Sequence, residues 1–592
     1  MLILDCECYP NYFLLAFLEV STGKVRHFEC TEAQPFDGKT VAVLMAKYQT
    51  GSFNGLSYDL PLIVAAIMGA KPARLKSISD AIILRKQPAW RVMRDFELTI
   101  PAKWDHIDII EVAPGQSGLK IYGGRMHAPT LQDLPIEPDE HVTPEQMEQL
   151  KAYCANDLHL TAALFRTLRP QLDLRVSMSK QYGQDLRSKS DAQIAETVIL
   201  SELSKVTGTT YRAPQMPDGY SFSYKDPGFL EFQTPELRAI HGRILFERFT
   251  LSAYGQVQMP QWLRDAPIEF GGAKYQLGIG GIHSCEKSQF VRATDGWIIE
   301  DRDVASYYPN IILGQSLYPD QLGHAFIRVY QNIVDRRIRA KREGDKVTAD
   351  SLKVSINGSF GKLGSKYSAL YSPDLLIQVT VTGQLALLML IERLHLAGVR
   401  CISANTDGVV LHYPESLAPT VESICFDWSL STSYTLEATQ YRAIGSRDVN
   451  NYVAVTTGGK VKGKGCFAQS GLAKNPDGQI IYKAVAAQVA QGVPYKKTIR
   501  ECEDIRDFVT VRRVQGGAVW RGEKLGRAVR FYISTSVPEN ECILYATNSN
   551  RVPKSAGAKP CMVLPEQFPD DVDYRYYETE AEKLLCEIGW TE

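Results

Sequence analysis

Short apolar runs that predict β-strands alternate with helical segments through the first 165 residues. LILDCE and YFLLAFLEV predict strands near the N-terminus, and GSFNG comes just before the helical run LPLIVAAIM. Residues 135–145 carry three prolines and a Thr-Pro-Glu helix-start signal, after which EQMEQLKAYCANDLHLTAALFRTL has the period of a helix. This order predicts a compact α/β domain that a long helix closes.

The rest of the chain predicts further domains. Residues 166–290 mix helical stretches with Pro- and Gly-containing segments and are interpreted as a connecting subdomain. Residues 291–460 contain the strand-like WIIEDR, a basic helical stretch, a long apolar helix near 375–396 and the hairpin-like CISANTDGVVLHY. Strand-like AVRFYISTS and ECILYAT follow. The predicted fold class is therefore a multidomain protein of α/β and α+β type.

Composition excludes several classes of protein. The chain has 592 residues, 44% of them hydrophobic, which predicts a globular protein of about four domains. Its longest unbroken apolar run, residues 385–391, is far shorter than the roughly 20 residues of a membrane-spanning helix. Asp5 and Glu7 interrupt any signal-peptide core, and the first basic residue is Lys24, so we expect a cytoplasmic location and no membrane partner. The 12 cysteines include no CxxC pair, which argues against a zinc site.

Four carboxylates stand out in the N-terminal domain. Asp5 and Glu7 are two residues apart on a predicted strand and therefore share a face. Asp59 lies at a strand-to-helix junction, and Tyr153 and Asp157 lie one turn apart on the closing helix. A single D-x-E at a strand end is most often a solvated terminus. A ring of carboxylates, however, is what two-metal phosphodiester hydrolysis requires.

These segments, D-x-E, N-x-x-x-(F/Y)-D and Y-x-x-x-D, resemble in this order the three motifs of the DEDDy 3′-5′ proofreading exonucleases. The resemblance implies a ribonuclease-H-like fold for residues 1–165. It also implies that the catalytic metal ligands are Asp5, Glu7, Asp59 and Asp157 and that Tyr153 orients the attacking water.

A second group of candidate residues lies between positions 303 and 410. DVASYYPN, residues 303–310, follows a predicted strand, and SANTDGVV, residues 403–410, contains the turn of the predicted hairpin. Between them, residues 326–366 hold ten Lys or Arg against four Asp or Glu. A basic helix face is usually solvated surface, but one beside two metal-binding acids could neutralise a triphosphate. On helices, Arg337 with Lys341, and Lys353 with Asn357, would each share a face.

Together these segments resemble the family B DNA polymerases: residues 303–310 are similar to DxxSLYPS, residues 353–361 to KxxxNSxYG and residues 403–408 to YxDTDS. The resemblance implies that Asp303 and Asp407 hold two Mg²⁺ ions, with Mn²⁺ as an alternative. It implies that the deoxynucleoside triphosphate is bound by Arg337, Lys341, Lys353 and Asn357, and that Tyr308 excludes the ribose 2′-hydroxyl.

The chain departs from the family pattern at several positions. Asn405 replaces the first acid of the DTD motif, and Ser403 replaces the preceding Tyr. Gly358 and Phe360 replace the Ser and the Tyr of the KxxxNSxYG motif, which is a motif of the polymerase fingers. In NNYVAV, similar to the KxY motif, Asn450 replaces the Lys. The resemblance implies that Tyr452 contacts DNA, and we expect the nearby Lys460, Lys462 and Lys464 to contact phosphates.

The implied domain order is exonuclease at 1–165, connecting N-terminal or linker subdomain at 166–290, palm at 291–325 and 367–465, fingers at 326–366, and thumb with C-terminal region at 466–592. Residues 460–530 hold fifteen Lys or Arg and six Asp or Glu, which suits contacts to a duplex backbone. A basic surface of no particular function is the simpler alternative. The formal charge of −1 conceals this distribution.

Lys353 follows Asp303 by only 50 residues, which leaves no room for the terminal-protein-binding domain of protein-primed phage polymerases. We therefore expect priming by a nucleic-acid 3′ end and a primer-template DNA substrate. In its overall compactness the chain resembles a phage or prophage replicative enzyme, which would work in the host cytoplasm. A helicase, a single-strand binding protein or a processivity factor would be its accessory partners. Two alternatives stay open: an exonuclease with a decayed palm, for which Asn405 is the warning sign, and a catalytically silent DNA-binding subunit of a replisome.

Overall fold

A computed structural model describes residues 1–591. The strands are β1 Leu2–Cys8, β2 Phe13–Glu19, β3 Val25–Cys30, β4 Thr50–Ser52, β5 His106–Asp108, β6 Ser221–Phe222, β7 Phe249–Leu251, β8 Val257–Gln258, β9 Ile268–Phe270, β10 Ala273–Leu277, β11 Ile282–Ser284, β12 Gln289–Arg292, β13 Trp297–Val304, β14 Arg400–Asn405, β15 Gly408–Pro414, β16 Leu436–Asp448, β17 Asn451–Thr456, β18 Val461–Lys464, β19 Thr510–Trp520, β20 Glu523–Ile533, β21 Leu544–Tyr545 and β22 Ala558–Pro560.

The helices are α1 Gly38–Lys47, α2 Asp59–Ile67, α3 Pro72–Ile83, α4 Ala89–Asp95, α5 Leu119–Arg125, α6 Pro144–Thr167, α7 Arg169–Tyr182, α8 Asp191–Thr207, α9 Pro235–Phe246, α10 Gln261–Asp265, α11 Tyr307–Gly314, α12 Ala325–Glu343, α13 Lys346–Leu363, α14 Pro373–Leu396, α15 Ala418–Thr432, α16 Gln479–Gln491, α17 Tyr495–Arg500 and α18 Tyr574–Glu587.

The chain forms two compact units, and each is discontinuous in sequence. Unit 1 comprises residues 1–190, 470–480 and 502–576; unit 2 comprises residues 191–469, 481–501 and 577–592. The connecting segment 166–290 and the C-terminal segment 466–592 therefore each contribute to both units. Helices and sheets are mixed in both, as the predicted fold class requires.

The main sheet of unit 1 has five strands in the order β3-β2-β1-β4-β5. β1 is antiparallel to β2, with Asp5 opposite Ala16 and Glu7 opposite Leu14, and parallel to β4. One face of β1 places Leu4, Cys6 and Cys8 in a core with α2 and α3. The predicted strands and the long helix α6 are confirmed, and α6 begins with a capping box in which Thr143 and Gln146 exchange hydrogen bonds.

A second sheet of unit 1 has the order β21-β19-β20-β22. β19 and β20 form a long antiparallel pair that packs on α5 through Ile121, Val511 and Ala528. The expectation of a strand through ECILYAT is wrong for most of its length, because only Leu544 and Tyr545 pair with β19. The chain turns immediately afterwards through the exposed residues 546–550, and the Tyr545 carbonyl accepts from the amide of Ser549.

Unit 2 is built on a ten-stranded sheet with the path β18-β17-β16-β13-β15-β14-β11-β10-β9, to which β12 adds by pairing with β16. The predicted hairpin is confirmed as β14 and β15, which pair antiparallel. Of the described residues, only α14 is long and apolar enough to cross a membrane, and 89% of its apolar window is buried inside the protein. Such burial is typical of a core helix.

The basic helices α12 and α13 pack against each other and against α8. Glu196 of α8 accepts from the amide of Ala369 at 2.8 Å and pairs with Lys362 at 3.1 Å. A Cβ at Gly358 would lie 2.6 Å from the main-chain oxygen of Asp191. The glycine that departs from the fingers motif is therefore required by the close approach of α8.

Candidate active sites

The first candidate site lies in unit 1, where β1 and α6 meet. Asp5 and Glu7 project from the face of β1 opposite Cys6, and Cys154 approaches them from α6. One ligand atom from each of Asp5, Glu7 and Cys154 lies within 4.8 Å of the other two. The Cys154 Sγ is 3.7 Å from Asp5 Oδ2. The D-x-E spacing thus places two carboxylates together, and the thiol is a neighbour that the sequence motifs did not predict.

Asp59 is the first residue of α2 and is buried. Asp108 of β5 accepts hydrogen bonds from the amides of Asn54, at 2.8 Å, and Leu56, at 3.0 Å. These bonds hold the loop that delivers Asp59. The Oδ1 atom of Asp59 is buried and has no hydrogen-bond partner among the described residues. An orphaned buried carboxylate oxygen is costly unless it meets a cation or a proton.

Tyr153 and Asp157 lie one turn apart on α6, and both are buried. Lys120 of α5 pairs with Asp157 Oδ1, and its Nζ lies 4.2 Å from the centre of the Tyr153 ring. Sequence analysis missed Lys120 because nothing in LKIYGGR distinguishes this lysine from a surface residue. Its position depends on the packing of α5 on α6.

Burial and mutual repulsion raise the carboxyl pKa values throughout this site. Burial is the largest cause at Asp5, Glu7 and Asp59, and the pKa rises to about 8 for Glu7 and about 7 for Asp59. Burial also raises the pKa of Asp157, and Lys120 opposes that rise. Carboxylates crowded in this way are the donor set that a hard divalent cation prefers. The residues present therefore fit the ions that the motifs imply.

The second candidate site lies on the central strands of the unit 2 sheet. Asp303 of β13 is opposite Gly408 of β15, and the Val304 amide donates to the Asp407 carbonyl at 2.7 Å. A Cβ at Gly408 would lie 2.1 Å from Asp303 Oδ1. Only glycine leaves room for the Asp303 carboxylate in this conformation, so the glycine after Asp407 shapes the site directly.

A cavity of about 850 Å³ opens over these two strands. Four acids and four bases are among the residues that line it: Asp301, Asp303, Asp407, Glu437, Arg337, Lys341, Lys462 and Lys464. Tyr452 and Asn405 also contribute. The helix α12 thus brings Arg337 and Lys341 to the same cavity as Asp303 and Asp407.

Asp301 and Tyr441 support the site and were missed by sequence analysis. The Tyr441 hydroxyl donates to Asp301 Oδ2 at 2.5 Å, and Lys462 Nζ donates to the same oxygen at 3.0 Å. Lys462 Nζ also lies 3.9 Å from Asp303 Oδ2. Asp301 precedes Asp303 by two residues on one strand, so the D-x-D spacing was a usable signal.

Both predicted metal ligands have raised carboxyl pKa values. Burial, followed by the charge of Asp301, raises the pKa of Asp303 to about 6, and Lys462 opposes this rise. Burial is also the largest cause of the raised pKa of Asp407. The carboxylates of Asp303 and Asp407 and the surrounding bases form a site that fits a divalent cation and a polyphosphate together.

Four predicted residues lie elsewhere. Lys353 and Asn357 share an exposed face of α13 and do not line the cavity. Tyr308 stacks on Phe360, with ring centres 4.3 Å apart, and its hydroxyl donates to the Gly280 carbonyl. Lys460 is exposed at the turn that precedes β18.

No family model matches the sequence, and no curated protein matches it. A solved structure similar to this chain is that of the family B DNA polymerase from the hyperthermophilic archaeon Pyrobaculum calidifontis. The similarity covers 99% of this chain and 77% of that chain, with 14% sequence identity and a TM-score of 0.42.

Proposed function

We propose that the protein is a DNA-directed DNA polymerase that extends a nucleic-acid primer and carries a separate 3′-5′ exonuclease. The observation that supports polymerisation best is the cavity of unit 2, which is lined by Asp303 and Asp407 together with Arg337 and Lys341. Two carboxylates beside a cluster of bases suit the transfer of a nucleotide from a triphosphate.

In polymerisation, the primer 3′-hydroxyl attacks the α-phosphate of the incoming nucleotide and pyrophosphate leaves. Arg337 and Lys341 stabilise the triphosphate charge, and Lys464 adds a third cation to the lining of the cavity. Asp303 and Asp407 would hold divalent ions, which when bound supply charge neutralisation at the reacting phosphate. Lys462 and Asp301 keep the Asp303 carboxylate oriented.

In proofreading, the carboxylates of unit 1 would hold divalent ions that assist the attack of water on the terminal phosphodiester. Asp5, Glu7, Asp59 and Asp157 supply the oxygen ligands. Tyr153 would orient the attacking water, and Lys120 would hold Asp157 in place. A ribonuclease-H-like assignment for this domain is supported by the mixed five-stranded sheet that carries these acids.

Priming by a nucleic-acid 3′ end, a role in phage replication in the host cytoplasm, and accessory replication partners belong to the same proposal. The motif spacing supports priming by a nucleic-acid 3′ end, and the overall compactness of the chain supports the phage role. An exonuclease with an inactive palm is the second candidate, and Asn405 in place of the expected acid is the observation that favours it.

A primer-extension experiment tests these proposals. A 5′-labelled primer on a template is incubated with Mg²⁺, with and without deoxynucleoside triphosphates. Extension with nucleotides and shortening without them are expected; shortening alone would support the inactive palm, and binding without either product would support a silent DNA-binding subunit.

Asp303→Asn should abolish extension and keep degradation, and Asp59→Asn should do the reverse. Loss of both activities in either variant would contradict two separate sites.

A further inference from the structure

A groove of about 1080 Å³ lies on the second sheet of unit 1, away from the carboxylates. It is bounded by β19, by Arg527 in the first half of β20, and by Tyr545 of β21 with the loop that follows it. Six polar or aromatic side chains line it: Arg513, Gln515, Arg527, Tyr545, Thr547 and Asn548. None of the residues that line this groove is acidic.

The groove has its shape because β19 bulges. The register places Arg513 opposite Ala528 and Ala518 opposite Gly526, so that residues 514–517 face the single residue Arg527. Gly516 has a φ of +78°, and a Cβ there would lie 2.3 Å from Thr547 Cγ2. The Ala546 amide donates to the Gly517 carbonyl at 2.9 Å, which fixes the loop wall against the bulge.

The two arginines of the groove lack the acidic partners that several neighbouring basic side chains have. Arg512 and Lys554 both pair with Asp477, and Arg521 pairs with Glu541. Arg513 and Arg527 are exposed, and neither side chain has an acidic partner within residues 1–591. Two unpaired guanidinium groups beside amide and hydroxyl side chains suit phosphate oxygens, and the Tyr545 ring could stack on a base.

A neighbouring cleft is less favourable for an anionic ligand than this groove. It shares Gly516 and Arg527 with the groove, but its walls include the three acids Asp133, Glu137 and Glu140 beside the single further base Lys524. The negative charge of these acids disfavours a polyanion there.

The sheet that forms the groove is joined closely to the carboxylate site. Val511, two residues before Arg513, and Ala528, the residue after Arg527, pack on Ile121 of α5. Lys120, the preceding residue of α5, pairs with Asp157. The fully buried Arg530 of β20 donates to the carbonyls of Ala128 and Cys561, both at 2.7 Å. The groove therefore belongs to the same compact unit as the carboxylate site.

We propose that this groove binds the phosphodiester backbone of single-stranded DNA, with Arg513 and Arg527 as phosphate contacts, and that the bound strand is the one whose 3′ end the carboxylate site degrades. This inference rests on the proposed exonuclease function. Under this proposal the basic β19–β20 pair contacts the DNA strand that is being degraded. The sequence analysis instead expected this region to contact duplex DNA.

The test measures binding and hydrolysis separately. Fluorescence anisotropy with a labelled oligodeoxythymidylate should show a roughly tenfold loss of affinity for Arg513→Gln/Arg527→Gln, which corresponds to about 1.4 kcal/mol. The slope of log affinity against log salt should fall by about 1.4, because each phosphate contact to a single strand contributes about 0.7. Degradation of the oligonucleotide should slow, whereas cleavage of the p-nitrophenyl ester of thymidine 5′-monophosphate, which is too short to reach the groove, should be unchanged.

Matched variants decide the outcome. Arg521→Gln/Lys524→Gln removes the same charge from the same strand pair and should leave single-strand affinity unchanged; Arg513→Lys/Arg527→Lys should retain the salt slope. Unchanged single-strand affinity in the glutamine variant, an equal loss of ester cleavage, or a loss confined to duplex DNA would each overturn the inference. If the unaltered protein cleaves neither substrate, the exonuclease proposal fails, and the binding experiment still shows whether the groove holds a single strand.

Discussion

The side-chain amide of Asn405 donates a hydrogen bond to the main-chain oxygen of Val449 at 3.0 Å. The same nitrogen lies 3.5 Å from Oδ1 of Asn450. Asn405 and Asn450 are the two positions where the chain lacks a charged residue of the family motifs, and the structure brings them together. Asn405 therefore joins the β14–β15 hairpin to the β16–β17 turn, and this role needs an amide donor.

We predict that Asn405→Asp impairs the protein instead of restoring a metal ligand. The aspartate would face the Val449 carbonyl with no proton to donate, which should cost about 1–3 kcal/mol of stability. Asn405→Asp/Asn450→Lys should recover part of the loss through a new ion pair. Urea denaturation and primer extension of both single variants and the double variant measure the coupling, which should exceed about 0.5 kcal/mol. Faster extension by Asn405→Asp alone would show that position 405 is a lost metal ligand.

Lys462→Met should lower the extension rate by about 10–100-fold, the usual cost of removing a group that orients a metal ligand. Its ammonium group is 3.0 Å from the buried Asp301 and 3.9 Å from Asp303. The concentration of Mg²⁺ needed for half-maximal extension should rise as well. Lys287→Met removes an exposed lysine of the same unit and serves as the control. An unchanged Mg²⁺ requirement would mean that Lys462 does not position Asp303.

Tyr308→Val should increase the incorporation of ribonucleotides if the Tyr308 ring excludes the 2′-hydroxyl. Phe360→Ala should act in the same direction but more weakly, because the Phe360 ring supports Tyr308 by stacking. Tyr308→Phe keeps the ring and should keep sugar discrimination. The measurement is the ratio of ribonucleotide to deoxynucleotide insertion, with the exposed Tyr367→Val as control. Unchanged discrimination in Tyr308→Val would reject the assignment.

Lys120→Met should slow exonucleolysis and leave primer extension intact. Lys120 opposes the rise of the Asp157 pKa, so its removal should raise that pKa further. The acidic limb of the exonuclease pH profile should therefore move to higher pH. The exposed Lys103→Met is the matched variant. A lower rate with an unmoved profile would indicate that Lys120 acts only through packing.

The carboxylates of unit 1 should make its stability depend on pH when divalent ions are removed. The pKa of Asp59 is raised from 3.8 to about 7, and that of Glu7 from 4.5 to about 8. The stabilisation from their protonated forms is complete below about pH 4 and is lost as the pH rises through 7 to 8.

In a chelator, Asp59→Asn should therefore raise the melting temperature at pH 8 but not at pH 4, by about 2–4 °C for each kcal/mol of repulsion removed. Mg²⁺ should stabilise the unaltered protein more at pH 8 than at pH 5, because the ion binds ionised carboxylates. Asp139→Asn, at an exposed position, should show neither effect. Equal melting curves for Asp59→Asn and the unaltered protein at pH 8 would contradict the raised pKa.

The local pattern of the sequence was sufficient to predict the strand β1 with its paired acids, the capped helix α6, and the hairpin beside Asp407. Each depends on residues close in sequence: a period of two, a capping box, or a turn rich in Asn, Asp and Gly. The spacing of Arg337 and Lys341 likewise predicted that one helix face would carry both. These features are local, and local rules determine them.

Tertiary packing alone decided the remaining features. Lys120 meets Asp157, Lys462 meets Asp301, and Asn405 meets Val449 across separations of 37, 161 and 44 residues. No periodicity connects such positions, because the contacts depend on how helices and strands pack. The same reason explains why residues 502–576, which follow most of unit 2 in sequence, join unit 1. The sequence by itself determined which residues could do the chemistry, and the packing of distant segments decided which of them share a site.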